Sequence, residues 1–537
     1  LYKVMTIKSP EELGEHVVVQ GGTFLNDAVL RCFELELGRE VTRAAEAGLM
    51  GALGAALIAL GKWQAGTRSS LLSAREVFEF TMKSHAAACG LCENRCRLTV
   101  SRFPGGKKHV SGNRCLRGEG VSLTQQLPDL LSYRYERLFD RVSLDVEQAP
   151  RGMIGLPRAL NMYENYPFWH AFLTALGFSV LLSPPSSQDS FRLGMDSIPS
   201  ESVCYPAKLA HGHIQALIDA GCPAIFYPSV AYEQKEFTGA DNHFNCPIVT
   251  SYPEVIKGNM EEIRQRGIRF LHPFLDLSDR RQLPRLLTQA FSAYAIPREE
   301  IRRALDKGWE ADAAFREDLA RKGQETLRWM RDNQVPGIVL AGRPYHCDPE
   351  INHGLPQLIG ALGMAVLTEE SVAGSGQLLR PLRVVDQWAY HTRLYEAAAF
   401  TASQPDLELV QLTSFGCGLD AVTADQVQEI VEAAGRSYTL LKIDEINNLG
   451  AARIRLRSLI AAREERAARP PVPKAPYAQA PKRFEKPMRH RYTLLAPQMA
   501  VLQFNLLETV FRKHGYDFQV LKEVSREDVD CGLKYVN

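Results

Sequence analysis

Two short apolar runs decide the fold of this chain: Met153-Ile-Gly-Leu156 and Ser179-Val-Leu-Leu182. The first run leads into Pro157, and the second follows a turn at Gly177, which lies 20 residues after that proline. A strand, a proline-containing loop, one helix, a glycine turn and a second strand make a βαβ unit, in which a helix joins two parallel strands. The pattern therefore predicts an α/β fold with a parallel sheet.

The same unit occurs three times along the chain, which is an internal repeat. Pro344 is followed by a turn at Gly363 after 19 residues, and Pro497 by a turn at Gly515 after 18 residues. Further strands are predicted at 224–227, 337–341 and 407–412. A helix-rich stretch that is charged on one face is predicted at 297–331 and is expected to cover a sheet. Because the third copy begins close to the last residue, we expect an internal fragment whose final part starts a second domain of the same kind.

The composition excludes several classes of protein. The chain has 537 residues, of which 45% are hydrophobic and 23% charged, and this balance is typical of a globular protein rather than a disordered one. The formal net charge of +1 gives no field that would attract nucleic acid or an anionic membrane. The longest apolar run, 48–60, is shorter than the roughly 20 residues of a membrane helix. Its small side chains predict a tightly packed, buried helix.

The use of cysteine indicates metal or redox chemistry. Eleven cysteines are too few for a disulfide scaffold in a chain of this length, and their clustering favours a reducing compartment, so we expect a cytoplasmic protein. Four of them are interpreted as core residues or as neighbours of a site: Cys32, Cys222, Cys347 and Cys531. Cys347 lies in a polar loop, 342–353, which would either orient a substrate and donate protons or form a closed hydrogen-bond network.

Four cysteines that lie close together in sequence predict a metal-binding segment. Cys89, Cys92, Cys96 and Cys115 have the spacing C-x2-C-x3-C-x18-C, and glycine turns before the last one let the chain return. Four thiolates suit both zinc and a [4Fe–4S] cluster, so the spacing leaves the two open. Such a site has no spare coordination position, and we expect it to be structural or electron-relaying. Four buried cysteines without a metal are the alternative.

Three further cysteines, Cys204, Cys246 and Cys417, lie far apart in sequence, each in a loop beside a predicted strand or helix. Cys246 is expected before an apolar strand at 248–249, and Cys417 before a helix that starts at about Asp425. The loops at the carboxyl edge of a parallel sheet meet where ligands bind, and helix N-termini favour anionic thiolates. The three are therefore candidate ligands of one site. On spacing alone, ordinary buried cysteines are the alternative.

The first part of the chain carries a glycine turn between a strand and a helix. An apolar strand is predicted at 16–20, the turn at Gly21 and Gly22, and an amphipathic helix at 28–37. A turn of this kind suits backbone contact with a phosphate or nucleotide. A Gly–Gly pair is, however, more often an ordinary turn.

These motifs resemble a known family. Residues 18–29 (VVQGGTFLNDAV) and 48–56 (GLMGALGAA) resemble the end of the ATPase that activates 2-hydroxyacyl-CoA dehydratases and benzoyl-CoA reductases, which has the sugar kinase/actin-type fold. The remainder is similar to long activase-related proteins, in which such an ATPase is fused to dehydratase-like domains. The strings that carry this resemblance are CGLCENRCRLTV (89–100), SGNRC (111–115), IGLPRALNMYENYPFW (154–169), SESVCYPAKLAHGH (200–213), NCPIVTSYPEVI (245–256), GRPYHCDPEINHG (342–354) and SFGCGLD (414–420).

The resemblance implies two sites. Four residues would line the remnant of an ATP pocket, whose other parts would lie upstream of this chain: Gly21, Gly22, Thr23 and Asn26. Dehydratase subunits hold a [4Fe–4S] or related iron–sulfur cluster with three cysteines and leave one iron open. Here those cysteines would be Cys204, Cys246 and Cys417. The resemblance assigns no catalytic residue.

The activity that the resemblance implies is ATP-coupled transfer of a low-potential electron, which reductively activates or dehydrates a CoA thioester through a ketyl radical. The expected partners are acyl-CoA or a dehydratase and a low-potential electron donor, with no nucleic acid and no membrane, and a homodimer is one expected assembly. Dehydratases of this family are heterodimers, whereas two such domains lie here on one chain. Whether this chain is itself an enzyme therefore stays open.

The expected fold class is α/β, with three parts that follow from the resemblance. They are a C-terminal remnant of an actin/sugar-kinase-like ATPase lobe, a small four-Cys metal knuckle, and Rossmann- or flavodoxin-like parallel subdomains. The expected domains are an ATPase remnant (1–65), a connecting helix and four-Cys segment (66–150), a dehydratase-like iron–sulfur domain (151–463, with subdomains near 151–300 and 335–460), a Pro-rich linker (464–490) and the start of a second dehydratase-like domain (491–537).

Two other functions fit the same residues. A non-catalytic scaffold with zinc or an iron–sulfur cluster would dock a dehydratase, and a small-molecule-binding α/β protein would contain no metal. The iron, sulfide and zinc contents of the anaerobically purified protein distinguish the three.

Overall fold

The computed structural model describes residues 9–64, 66, 71–90, 96–113, 127–374, 376–445, 449–468, 477, 484–522 and 525–532. The chain divides into two compact units: Leu1–Phe80 with Lys482–Asn537, and Thr81–Pro481.

The N-terminal part of the first unit is built around a short parallel pair of strands. Its elements are β1 (Val17–Val19), α1 (Asp27–Leu37), β2 (Val41–Arg43), α2 (Met50–Lys62) and α3 (Ala74–Phe78). Val19, Leu37 and Val41 form a small core between the strands and α1. The strand and the amphipathic helix predicted here are therefore present.

Helix α2 differs from the buried helix that its sequence predicts. None of its residues is buried, and Leu53 and Leu57 are 51% and 59% exposed. Small residues permit close packing, but they do not supply a neighbouring element to pack against. Within the described part of its own unit, no segment covers this helix, so the prediction of a buried helix is wrong.

The second unit begins with a small antiparallel sheet. Its strands are β3 (Lys83–Ala88), β4 (Arg97–Arg102) and β5 (Lys108–Ser111), paired in that order. Leu98, Val100 and Val110 form its core together with Cys89 and Cys96.

Residues 127–333 form the first α/β subdomain. Its elements are α4 (Leu130–Phe139), β6 (Met153–Leu156), α5 (Met162–Ala175), β7 (Ser179–Leu182), α6 (Gln188–Gly194), α7 (Tyr205–Asp219), β8 (Ala224–Phe226), β9 (Ser229–Tyr232), α8 (Pro247–Asn259), α9 (Glu261–Gln265), β10 (Arg269–Leu271), β11 (Phe274–Asp276), α10 (Leu283–Ala290) and α11 (Arg298–Asn333). The strand order of its parallel sheet is β10-β8-β6-β7, and β9 and β11 form a further parallel pair.

Residues 337–467 form the second subdomain. Its elements are β12 (Gly337–Ala341), α12 (Pro349–Asn352), α13 (Leu355–Ala361), β13 (Ala365–Leu367), α14 (Glu369–Val372), α15 (Ala389–Ser403), β14 (Leu407–Ser414), α16 (Gly418–Glu432), β15 (Thr439–Ile443) and α17 (Leu449–Ala467). The strand order is β13-β12-β14-β15, all parallel.

The two sheets share one topology. In each, the first two strands are neighbours and the third is added on the other side of the first. The direction in which strands are added to the sheet therefore reverses between β6 and β8 and between β12 and β14. The loops at such a reversal leave a crevice at the carboxyl ends of the strands, which is where ligands bind in open α/β sheets.

One hydrophobic core joins the two subdomains. Phe172 of α5, Leu340 of β12 and Leu412 of β14 belong to the same buried cluster. The long helix α11 packs along α5 and reaches α14, so it contacts both subdomains. Loops of the two sheets are therefore held in a common packing arrangement.

The internal repeat is present as three βαβ units. The third unit lies in the C-terminal part of the first compact unit and consists of β16 (Thr493–Pro497), α18 (Val501–Lys513) and β17 (Asp517–Leu521), followed by α19 (Arg526–Gly532). The turns before the second strand have φ of 81° at Gly177, 83° at Gly363 and 78° at Gly515. Only glycine adopts this left-handed backbone without steric cost, which explains the glycine in each copy.

The parallel sheets confirm the α/β class predicted from the sequence. Among the described helices, none combines the length and the apolar character that crossing a bilayer demands.

Candidate functional site

Three helices of the second unit begin directly after a cysteine. Cys204 is the N-cap of α7, Cys246 the N-cap of α8 and Cys417 the N-cap of α16. Their ψ angles are 148°, 135° and 102°, so each cysteine is non-helical and precedes a first turn whose backbone N–H groups have no helical partner. The positive end of a helix dipole stabilises a thiolate at this position.

Two local predictions around these cysteines are wrong. Residues 248–249 belong to helix α8 and not to a strand. The buried residues Val249, Tyr252 and Ile256 recur at helical spacing, and Pro247 occupies the first helical position, where proline is favoured. The helix after Cys417 begins at Gly418 rather than near Asp425.

The three thiols lie close enough to influence one another electrostatically. Burial raises the pKa of Cys204 to about 12, and the negative charges of Cys246 and Cys417 add to the rise, while the backbone N–H of Ala207 opposes it. Burial also raises the pKa of Cys417, to which the charge of Cys246 contributes. All three pairs therefore interact, although up to 213 residues separate their members in sequence.

Arg343 is the cation of this region. It follows β12, is 5% exposed, and its Nη2 donates to Asp420 Oδ1 at 3.0 Å and to Cys417 Sγ at 3.8 Å. Asp420 also accepts from Thr413 Oγ1 at 2.6 Å and lies 3.0 Å from His391 Nε2. Burial works against the charge of Asp420, but Arg343 and His391 hold the pKa of its carboxyl well below the ordinary range.

A buried carboxyl, Glu233, supports the loop that carries Cys246. Its Oε1 accepts from Asn161 Nδ2 at 2.6 Å and from Asn245 Nδ2 at 2.8 Å, and Asn245 Oδ1 in turn accepts from the backbone N–H of Cys246 at 2.9 Å. Burial raises the pKa of Glu233 to about 7, against the lowering effect of the Asn161 amide. Tyr390 of α15 donates to Asn161 Oδ1 at 3.0 Å, so the network reaches the second subdomain.

Sequence analysis did not single out Arg343, Asp420 or Glu233. The first two do lie in the strings GRPYHC and SFGCGLD, next to the cysteine-bearing loops. Their proximity follows from the neighbouring positions of β12 and β14 in the sheet, which no local pattern encodes.

Buried side chains of the polar loop 342–353 take part in a hydrogen-bond network. Asp348, which is fully buried, accepts from Tyr163 and from Ser186 Oγ, the latter at 2.7 Å. His213 lies 3.0 Å from both Ser186 and Ser183, through its two ring nitrogens. Burial lowers the pKa of His213 to about 3, so the ring is neutral and bridges the two hydroxyls. The network, one of the two interpretations of this loop, is therefore present, and a role in orienting a substrate or donating protons stays a prediction.

The loop also contacts the start of α7. Glu350 Oε1 accepts from Tyr205 at 3.1 Å and from Gln188 at 2.9 Å, and Tyr205 directly follows Cys204. Through Arg343 at one end and Glu350 at the other, a single loop thus contacts the helix starts of Cys417 and Cys204.

The remaining cysteines divide into two groups. Cys222 and Cys347 are buried, and Cys347 Sγ accepts from Arg134 Nη1 at 3.0 Å. Cys32 and Cys531 are exposed, so their interpretation as core residues is wrong.

The four-Cys segment is described only in part. Cys89 directly follows β3 and Cys96 directly precedes β4; both are buried, and the backbone N–H of Cys89 donates to the carbonyl of Cys96 at 2.8 Å. Cys92 and Cys115 lie outside the described residues. The antiparallel pair therefore brings two of the four predicted ligands together.

The four residues assigned to a nucleotide pocket form the turn between β1 and α1. Gly21 has φ of 103°, Gly22 and Thr23 belong to a 3-10 turn, and Asn26 is the N-cap of α1. The side chain of Asn26 accepts from the backbone N–H of Ala28 at 3.0 Å. In this structure Asn26 therefore has a helix-capping role.

Within the part of the chain that the structure describes, no group of three or more His, Cys, Asp or Glu side chains could hold a metal ion.

Comparison with known proteins finds one family model that matches part of the chain. A search of the curated proteins finds no match. One solved structure, described as a candidate sugar binding protein from Salmonella typhimurium LT2, aligns with 63% of this chain and 94% of its own at 13% identity, but its TM-score of 0.18 supports no argument about fold. Residues 153–372 match the family described as the CoA enzyme activase uncharacterised domain, DUF2229. Most of the first subdomain and the whole polar loop lie in this range, so this part of the chain is similar to a CoA enzyme activase domain, in agreement with the resemblance of its motifs.

Proposed function

We propose that this chain is an iron–sulfur protein of the 2-hydroxyacyl-CoA dehydratase/activase system, in which Cys204, Cys246 and Cys417 hold a [4Fe–4S] or related cluster. The observation that carries the proposal is the position of these cysteines, which cap three helices and interact in all three pairs. The match to a CoA enzyme activase domain supports the system to which the chain is assigned.

The donor set suits a cluster better than a single ion. The ligands of one zinc ion stand about 2.3 Å from a common centre, which forces the sulfurs close together. An iron–sulfur cluster is bridged by its own sulfides, so its cysteines stand farther apart. Three thiols at the starts of separate helices suit the second arrangement. The Nε of Arg343 has no hydrogen-bond partner among the described residues, although the side chain is 5% exposed.

When bound, such a cluster supplies an electron acceptor and an iron with an open position for a thioester carbonyl. The chain's own residues would hold it and keep water away. Tyr345 is 8% exposed and interacts electrostatically with Cys204 and Cys417, so its ring lies beside the site. The dipoles of α7, α8 and α16 and the charge of Arg343 would balance the negative charge of the three thiolates.

The electron would come from a low-potential donor, with ATP hydrolysis driving its transfer. We assign Gly21, Gly22, Thr23 and Asn26 to the nucleotide side of this system, on the strand–turn–helix geometry that they form. The proposed partner is a dehydratase or its acyl-CoA substrate, and the proposed compartment is the cytoplasm, where thiols stay reduced.

Anaerobic purification and reconstitution test the proposal. The wild-type chain should be brown and contain iron and sulfide, and a Cys204→Ala/Cys246→Ala/Cys417→Ala variant should lose the iron of this site and its EPR signal. A Cys32→Ala/Cys531→Ala variant is the matched control, because both cysteines are exposed and outside the site. Iron that is unchanged in the triple variant would refute the assignment.

One observation favours a second function, a zinc-bearing scaffold that docks a dehydratase. Cys89 and Cys96 lie at adjoining ends of an antiparallel pair of strands, an arrangement found in structural zinc sites. A colourless protein with one zinc per chain, lost in a Cys89→Ser/Cys96→Ser variant, would establish this function instead.

A further inference from the structure

Arg343 has a position that packing alone does not explain. The loop after β12 turns sharply, because the backbone N–H of Arg343 donates to His346 Nδ1 at 2.8 Å. A Cβ at Gly342 would lie 2.1 Å from that nitrogen, so only glycine permits the turn. The turn places the guanidinium of Arg343, which is 5% exposed, between β12 and β14, where the direction of strand addition reverses.

The guanidinium is held by a fixed set of partners. Asp420 accepts from its Nη2, and Asp420 is itself held by Thr413 and His391, both of which are buried. Burial lowers the pKa of His391 to about 4, so this ring is neutral and contributes no second positive charge. The ionised carboxylate of Asp420 therefore fixes the orientation of the Arg343 side chain.

Asp420 is the strongest electrostatic partner of Arg343, but the charge of Arg343 also acts on the cysteines. At Cys417, the stabilising influence of Arg343 on the thiolate exceeds the repulsion from Asp420, and Arg343 also interacts with Cys246. The ion pair with Asp420 therefore does not cancel the positive field on the sulfur side. The same Nη2 that meets Asp420 lies 3.8 Å from Cys417 Sγ.

We propose that Arg343 is the positioning residue that sets the reduction potential of the group held by Cys204, Cys246 and Cys417, and that Asp420 holds it in place for that role. The inference rests on the proposed function. One-electron reduction adds one negative charge to the group without breaking a bond, and a nearby cation in a buried site stabilises the charged product. Without the cation, reduction becomes less favourable and the potential becomes more negative.

The test is a redox titration of the full chain, followed by EPR, with dithionite as the reductant. The titration uses a Cys89→Ser/Cys96→Ser background, so that only the three-cysteine site can contribute. In Arg343→Gln, the equilibrium constant for reduction should fall at least tenfold, which corresponds to a shift of about 59 mV to more negative potential. In Arg343→Lys, which keeps the charge, the shift should be smaller.

A matched control uses another arginine that contacts α16. Arg383 pairs with Glu429 at 2.6 Å near the far end of that helix, where its side chain is 48% exposed, so Arg383→Gln should leave the potential unchanged. A purely structural role of Arg343 would lower iron content and thermal stability equally in the Lys and Gln variants while the remaining clusters keep the wild-type potential, and this result would overturn the inference. Absence of iron from the three cysteines in the wild type would overturn the proposed function together with it.

Discussion

Substitution of Glu164 by glutamine should destabilise the second unit strongly. Glu164 lies on α5, is 5% exposed, and accepts hydrogen bonds from three arginines. Arg393 Nη2 donates at 2.6 Å, Arg134 Nη2 at 3.0 Å and Arg316 Nη2 at 3.2 Å. These arginines come from α15, α4 and α11, so one carboxylate holds together helices of both subdomains.

The size of the effect follows from the pKa of the carboxyl. Burial alone would raise the pKa of Glu164, but Arg393 and Arg316 outweigh it and lower the pKa from 4.5 to about 2. Since one pKa unit equals about 1.4 kcal/mol, the ionised carboxylate contributes on the order of 3 kcal/mol at neutral pH. Leaving buried arginines without their counter-charge costs about 3–5 kcal/mol in comparable cases.

Urea unfolding, followed by tryptophan fluorescence, measures this loss, because Trp169 lies on the same helix and is 1% exposed. The pKa is lower in the folded state, so the contribution is complete above pH 4.5 and is lost only as the pH falls towards about 2. The difference between wild type and Glu164→Gln should therefore stay constant from pH 8 to pH 5. Glu325→Gln, at an exposed ion pair of α11, is the control and should change nothing measurable.

Two results would refute this reasoning. One is a loss of stability below about 1 kcal/mol in Glu164→Gln, which would mean that the arginines find other counter-charges at no cost. The other is a difference that changes steeply between pH 8 and pH 5, which would place the ionisation of the wild-type carboxyl in that range.

Other substitutions test the packing of α7 and the buried acid at the Cys246 loop. Gly212→Ala should unfold or strongly destabilise the first subdomain, because a Cβ there would lie 1.7 Å from the carbonyl oxygen of Ser190. Gly258→Ala, in an open helical position, should be neutral or slightly stabilising. The melting temperatures of the two variants measure the difference. Glu233→Gln should flatten the pH dependence of stability between pH 4.5 and pH 7, because burial raises the pKa of Glu233 to about 7. In this range the unfolded wild type ionises the carboxyl while the folded wild type keeps it protonated, so wild-type stability falls as the pH rises. Urea midpoints at pH 5 and pH 8 decide the second case, and an unchanged slope would contradict it.

Local sequence patterns were sufficient to locate the buried strands. The predicted runs Met153–Leu156, Ser179–Leu182 and Gly337–Ala341 coincide with the strands of the structure. Strands of a parallel sheet are buried on both faces, so they are continuous apolar runs between turn residues and need no alternation to be recognised.

The sequence pattern gave wrong predictions where the structure of a segment depends on the elements that pack against it. The apolar composition of 48–60 predicts a helix, and a helix is present, but its burial depends on a neighbouring element that composition does not specify. The pair Ile248-Val249 was too short to distinguish strand from helix, and the prolines at 247 and 253 belong to a helix that contains them both.

The cysteines of the candidate site could be predicted from the sequence, but the residues around them could not. The cysteines could be placed at a sheet edge, because the carboxyl ends of parallel strands always meet there. The pair Arg343–Asp420 joins residues 77 apart, and Glu233 contacts Asn161 across 72 residues. Such contacts depend on which strands become neighbours, and that order is a property of the folded sheet.

The division of the cysteines between the two sheets has a physical consequence. Cys204 and Cys246 begin helices of the first subdomain, and Cys417 begins a helix of the second. A site with ligands from both exists only while the two subdomains stay packed, and the contacts that secure this packing are the shared core, the arginines around Glu164 and the loop from Arg343 to Glu350. Since the same loop carries Arg343, whose Nη2 lies 3.8 Å from Cys417 Sγ, the assembly of the site and its electrostatic environment depend on one element.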